Sequence, residues 1–223
     1  MDISPRWVFA GKTAYKDTAI FEYRTFDYYL ELRDTLGQSA NGVLFLIEKR
    51  GWGMAEYLGK ITAQGNPMTL VGDEIKVGDK APDCTAINND MNPVKLSSFF
   101  GKTMVLSFVP SLDTSVCDTE TRRFNQEAQK LGDEVVVVTV SMDLPFAQKR
   151  WCGAAGVENV VTLSDHRDAC FGEHYGMLIK ELRLLARAVF VIDKEGIVRF
   201  IHLVREVGDE PDYEAVLDAV NKL

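Results

Sequence analysis

Cysteine is scarce in this sequence. There are four in 223 residues, Cys84, Cys117, Cys152 and Cys170, and no two form a C-x-x-C pair. That spacing excludes a disulfide scaffold and does not fit a structural zinc module or a dithiol oxidoreductase motif. Positive charge is also short: 25 Lys and Arg face 33 Asp and Glu, for a net charge of −8. Nucleic acid and anionic membrane surfaces select basic faces, so neither is expected as the main partner. No apolar run approaches the roughly 18 residues of a membrane span. The opening MDISPRWVFAGK lacks the basic-then-apolar order of a secretory leader, and a cytoplasmic location is expected. What remains is an ordinary soluble composition, 46% hydrophobic, in a chain long enough for one large domain or one domain plus an extension.

The most informative stretch is Thr103 to Leu131, TMVLSFVPSLDTSVCDTETRRFNQEAQKL. Thr103 to Val109 is short, apolar and β-branched, the pattern of a buried strand. Pro110 lacks the N–H that a central strand needs and stops it. Ser111 to Asp113 form a polar turn, and Thr114 or Ser115 supplies a helix N-cap. Cys117, Thr121, Phe124, Ala128 and Leu131 then fall on one helical face. With Thr114 as N-cap, Cys117 is the third helical residue. That position faces unpaired N–H groups and the positive end of the helix dipole. An anion is stabilised there, and a thiolate, the nucleophilic form of cysteine, can be that anion. Asp113 and Asp118 oppose it, so a cation from elsewhere in the chain is required.

Pro110, Thr114 and Cys117 reproduce the P-x-x-x-T-x-x-C signature of the peroxiredoxins, and PSLDTSVCDTETRRFN resembles their thiol peroxidase branch. The resemblance runs from about Gln64 to Leu223. It implies a thioredoxin-like α/β fold with an added N-terminal β-hairpin. It also implies that Cys117 is the peroxidatic cysteine and that Cys152, within DLPFAQKRWCG, is the resolving one. Arg187, in LLARAVFVID, matches the family's active-site arginine and would be the missing cation; an isolated arginine before a strand otherwise reads as a solvated rim charge. Thr114 and Pro110 complete the implied site.

Met1 to Gly53 holds ten of the 22 aromatic residues, a density that argues against a flexible tail. Phe26 to Leu36 suits a short helix and Gly42 to Ile47 a strand. This segment is either an accessory element packed on a domain spanning 54–223, or it lies upstream of a true start at Met54. The second is the expectation adopted, because MAEYLGKITAQGNPMTL resembles a thiol peroxidase amino terminus. Met68 to Val71 and Glu74 to Val77 flank Gly72-Asp73, a pattern for a hairpin. Cys84 stands where the family usually has Phe and reads as a buried apolar substitute. Lys95 to Phe100 reads as a loop or helical turn. Glu134 to Val140 and Asn159 to Leu163 are expected strands, with a helix from Pro145 ending at Gly153 or Gly156. Cys152 lies in the last turn of that helix, where fraying exposes it.

Cys170 sits between His166 and His174, residue types that suit a metal or protease site. No local signature supplies a third group, so solvent-exposed histidines are the better reading, and the resemblance gives Cys170 no role. Arg187 to Asp193 and Ile197 to Val204, the latter carrying His202, make a hairpin. Pro211 to Leu223 forms a closing helix with Val216, Leu217, Val220 and Leu223 on its apolar face.

The function implied is reduction of hydrogen peroxide and organic hydroperoxides. The intermediates are a Cys117 sulfenic acid and an intrachain Cys117–Cys152 disulfide, recycled by thioredoxin or a similar dithiol. The two cysteines lie 35 positions apart on different helices, so the disulfide requires local unwinding. No metal, haem or flavin is required, and the family resemblance implies a homodimer. Two other readings stay open. One is a thioredoxin-like redox sensor or disulfide-exchange protein without turnover, which the absent C-x-x-C disfavours. The other is an interaction protein whose working part is Met1 to Gly53.

Overall fold

A computed structural model describes residues 54–223; the expected helix at 26–36 and strand at 42–47 lie outside them. Within them a seven-stranded sheet carries the site. Its strands are β3 (Thr85–Ile87), β4 (Pro93–Lys95), β5 (Thr103–Phe108), β6 (Val135–Ser141), β7 (Val160–Ser164), β10 (Ala188–Ile192) and β11 (Val198–Leu203), in the order β11-β10-β5-β6-β7-β3-β4. β5, β6 and β7 are parallel, joined by α1 (Ser115–Leu131) and α2 (Pro145–Ala155), while β10 runs antiparallel to β5. A parallel pair needs a helical crossover, which is why apolar strands here alternate with helices. This is the expected thioredoxin-like arrangement.

Both faces of the sheet are covered. Val105, Val109, Val137, Val189 and Val191 point to one face, where they pack with Phe124 of α1 and with Tyr213 and Val216 of α4 (Tyr213–Val220). Met104, Leu106, Phe108, Val138, Val140 and Phe190 point to the other. They meet Phe171 and Tyr175 around α3 (Cys170–His174), and a second sheet of β1 (Glu56–Ala63), β2 (Asn66–Val71), β8 (Leu178–Ile179) and β9 (Leu184–Leu185). The period of two along each strand thus sorts side chains into two separate cores.

Several boundaries differ from expectation. Gly72-Asp73 does not turn a hairpin, and Glu74 to Lys76 form no strand. The antiparallel pair lies one strand earlier, β1 with β2, and its tip is Gln64-Gly65. Both tip residues have positive φ (51° and 76°), as a tight turn of this hand demands. A glutamine at such a place is unusual, and the stabilisation comes from afar: Glu206 accepts from the N–H of Gln64 and Gly65 and from the Thr62 hydroxyl. Gly72 serves another purpose. It adopts φ 126°, and a Cβ there would stand 2.0 Å from the Glu173 carbonyl oxygen. That close approach docks the strand end onto α3, with Asp73 N donating to the same oxygen. Lys95 to Phe100 contains a 3-10 helix over Leu96–Phe99. α4 starts on Asp212, whose side chain accepts from Ala215 N; Leu223 lies beyond it, exposed. Among the described residues no helix is long and apolar enough to cross a membrane.

Asp165 anchors the start of α3. It is buried, its Oδ2 accepts from Gly172 N, and its Oδ1 has no partner. Burial pushes its carboxyl up to about 6, against the backbone N–H groups that pull it down. A carboxyl raised on folding binds more protons in the native state than in the unfolded one between its two pKa values. The contribution of Asp165 to stability therefore falls as pH rises from about 4 to about 6. Asp165→Asn should flatten that slope in urea-unfolding midpoints measured from pH 4 to 7. An unchanged slope would show that Asp165 does not cause it.

Candidate active site

The site forms where β5 ends. Val109 N still donates to Val140 O, then Pro110, buried, takes the chain off the sheet. Asp143, just past the end of β6, receives the turn: its carboxylate accepts from Ser111 Oγ at 2.7 Å, Leu112 N at 2.8 Å and Ser141 Oγ at 2.8 Å. Thr114 is the N-cap of α1, with extended φ/ψ, and Cys117 is the third helical residue, as the sequence predicts.

The Thr114 hydroxyl does not cap the helix backbone. It lies 2.8 Å from Cys117 Sγ and 2.9 Å from Ser111 O. One hydroxyl proton serves only one acceptor at a time. With a protonated thiol, sulfur can donate to Oγ1 while the hydroxyl donates to Ser111. With a thiolate, the hydroxyl turns to sulfur.

Arg187 arrives from the neighbouring strand. Ala188 pairs with Phe108, so the residue before it falls opposite the end of β5, where α1 begins. The rim-charge reading is wrong: Arg187 is only 1% exposed. Its Nη2 lies 3.3 Å from Cys117 Sγ. Its Nη1 donates to Glu120 Oε2, and Nε and Nη2 donate to Val207 O at 3.2 and 3.1 Å. Burial works against the guanidinium charge, but the Glu120 carboxylate and Cys117 hold its pKa above the usual value. Burial pushes the Glu120 carboxyl up, opposed by Arg187 and by Ser107, whose hydroxyl donates to Oε1 at 2.7 Å. The pair is ionised, because a guanidinium keeps its proton in proteins and meets the carboxylate directly.

Glu120 was missed in the sequence. It lies three residues after Cys117 on the buried face, and Ser107 is the polar residue on the facing side of β5. A serine inside an apolar strand opposite an acidic residue on an apolar stripe was the available signal. The expected opposition from Asp113 and Asp118 is blunted by cations. Asp118 pairs with Arg122 at 2.9 Å and accepts from Trp151 Nε1 at 2.9 Å, and Arg150 lies 3.6 Å from Asp113. The hydrogen bond from Arg122 holds the Asp118 carboxyl below the usual range.

Cys117 is fully buried. The seal is not hydrocarbon alone, since a hydroxyl and a guanidinium touch the sulfur, and Thr114 and Ser115 above it are exposed. Donors converging on one sulfur suit a nucleophilic thiol and a leaving oxygen that gathers charge.

Cys152 is half-buried in α2, which ends at Gly156 in the left-handed region. Its Sγ lies 3.4 Å from Thr162 Oγ1 and 3.8 Å from Asn89 Nδ2. The preceding Trp151 faces the other way, onto Asp118. Cys117 and Cys152 are both free thiols and share no polar partner.

A redoxin family model matches residues 76–217. The chain belongs to the redoxin family. Within it, thiol peroxidases are similar over almost their whole length. That of Listeria innocua is 55% identical over 163 residues, covering 73% of this chain and 98% of its own. That of Bacillus subtilis is 54% identical over 166 residues, covering 74% and 99%. A solved peroxiredoxin-like protein from Aquifex aeolicus superposes with a TM-score of 0.69 at 42% identity, covering 74% of this chain and 98% of that one. The expected membership of the thiol peroxidase branch of the peroxiredoxins is thereby shown.

The ion pair behind the sulfur has a measurable consequence. Glu120→Ala strands a buried guanidinium and should lower unfolding free energy by about 3–5 kcal/mol, whereas Glu120→Gln, which keeps an acceptor, should cost less. Urea denaturation of both variants checks this; a Glu120→Ala loss below about 1 kcal/mol, the range of an exposed pair, would mean that the ion pair anchors nothing.

Proposed function

We propose that residues 54–223 form a peroxidase domain that reduces hydrogen peroxide and organic hydroperoxides with electrons from a dithiol protein of the thioredoxin type. The enzyme is a thiol-dependent peroxidase; the convergence of Thr114 and Arg187 on Cys117 is the observation that carries the assignment of residues. In this reading the Cys117 thiolate attacks the terminal peroxide oxygen. The O–O bond breaks, the sulfur becomes a sulfenic acid, and the departing oxygen leaves as water or alcohol after taking a proton. The Arg187 guanidinium, the Thr114 hydroxyl and the start of α1 stabilise the charge on that oxygen, because they are already in place before it develops. Pro110 shapes the turn and keeps bulk water from the sulfur. Small shifts of the exposed Thr114–Ser115 cover admit the substrate.

Cys152 then attacks the sulfenic sulfur, forming an S–S bond and releasing water. Its Sγ faces Thr162 and Asn89 rather than α1, so the end of α2 must unwind first. Gly153 has no neighbour within 4 Å of a Cβ position and Gly156 already breaks the helix, which eases the opening. Thiol exchange with the partner dithiol restores both cysteines. The protein works as a homodimer in the cytoplasm in this reading, on family grounds.

Cys117→Ser should abolish peroxide consumption coupled to thioredoxin and its reductase. Cys152→Ser should permit one oxidation of Cys117 without recycling, and peroxide-treated wild type should yield a Cys117–Cys152 linked peptide by mass spectrometry. Unchanged consumption in Cys117→Ser, or full recycling in Cys152→Ser, would overturn the assignment. A chain starting at Met54 should keep its peroxidase rate within about twofold, under the roughly fivefold that 1 kcal/mol represents. Loss of activity on that deletion would instead make Met1 to Gly53 part of the working enzyme.

A further inference from the structure

The fold gathers a second set of reactive side chains on the sheet face opposite Cys117. Cys84, between Pro82 and β3, is buried; Cys170 and His174 lie one turn apart on α3, the first half-buried and the second exposed. Cys84 Sγ lies 3.1 Å from Cys170 O, Cys170 Sγ lies 3.7 Å from His174 Nδ1, and the two sulfurs and the ring nitrogen all fall within 4.8 Å of one another. The cysteines belong to the core containing Phe108 and Phe171, whereas Cys117 and Cys152 belong to the core around α1. Nothing in the sequence near Cys170 and the histidines supplies a third group. The third group is Cys84, 86 positions away.

We propose that Cys84, Cys170 and His174 form a zinc(II) site, independent of the peroxidase centre, with its remaining position open to solvent beside His174. Two thiolates and one imidazole are a borderline-soft donor set that selects zinc over magnesium or calcium. Zinc–sulfur bonds of about 2.3 Å and zinc–nitrogen bonds of about 2.0 Å place tetrahedral donors roughly 3.5–3.8 Å apart. Cys170 and His174 already have that separation. Cys84 needs to close by about 1 Å from the outer limit of the cluster, within reach of a χ1 adjustment.

Two carboxylates stand beside the cluster: Asp83 adjoins Cys84, and Asp165 accepts from Gly172 N within α3. Binding exchanges two S–H protons for one metal ion: both thiols release a proton and both sulfurs bond the zinc, with no change of oxidation state. His174 Nδ1 now lies 2.9 Å from Cys170 O, so coordination through Nδ1 moves the ring proton to the solvent-facing Nε2. The site would clamp the 82–84 segment to α3, reinforcing the Tyr175 hydroxyl that donates to Pro82 O at 2.9 Å.

The test uses the full chain without a histidine tag, reduced and stripped of metal under anaerobic conditions. Cobalt(II) is the probe, because thiolate ligation gives a near-ultraviolet charge-transfer band and a tetrahedral site gives intense visible bands. One equivalent of cobalt should bind, zinc should displace it, and the Cys117→Ser/Cys152→Ser double variant should bind as well as wild type. His174→Ala and Cys170→Ser should each weaken binding by more than the roughly 10–100-fold that an outer-shell change costs. His174 is exposed, so that variant keeps its fold, and far-ultraviolet circular dichroism checks the others, including Cys84→Ser. Absence of thiolate–cobalt bands in wild type, their survival in His174→Ala, or their loss in the double variant would each overturn the site. Survival in His174→Ala would also be the result if Cys84 and Cys170 were only a dithiol.

Discussion

The buried contact between Arg187 and Glu120 is the constraint on which the geometry around Cys117 depends. Two opposite charges have been taken out of water, and each is tolerated only because the other is there. The guanidinium fork spends one arm on Glu120 and the Nε edge on Val207 O, which leaves Nη2 turned to Cys117. A lysine at this place would supply charge without direction, since its ammonium has no fixed plane. Glu120 in turn has one oxygen on Arg187 and the other on Ser107. The orientation of the cation is thus fixed from strand, helix and loop at once, before any substrate arrives.

That arrangement follows from the alternation of side chains across the sheet. Ser107 on β5 and Arg187 at the foot of β10 share the face that α1 covers, so the sheet delivers polar groups into one otherwise apolar layer. The opposite layer holds the aromatic group of Phe108, Phe171, Tyr175 and Phe190, with ring centroids 5.4 to 6.3 Å apart. The two cysteine pairs lie on different faces. The sheet between them is a barrier of paired backbone and close-packed side chains.

What the sequence disclosed was what is local. The strand, the proline stop, the N-cap and the third-residue cysteine lie within 15 residues, and propensity and capping rules act on that scale. The place of Arg187 beside Cys117 was readable only through family likeness, because nothing near it announces that the residue before a strand will be buried. Glu120 was hidden for the converse reason: an acidic side chain on a helix reads as solvated until its partner, 67 positions on, is known. The misplaced hairpin has the same origin. Gln64-Gly65 is a weak turn signal by itself, and the carboxylate that holds it belongs to Glu206. Each failure is a long-range contact overriding a local preference.

Those same contacts run in series. Thr62 N donates to Arg205 O, Val207 N donates to Thr62 O, and Val207 O receives the guanidinium. The first strand pair therefore braces the carbonyl that seats Arg187. In a nascent chain emerging from the ribosome, that carbonyl is joined twenty residues after the arginine itself. The guanidinium's seat is incomplete until Val207 has left the exit tunnel.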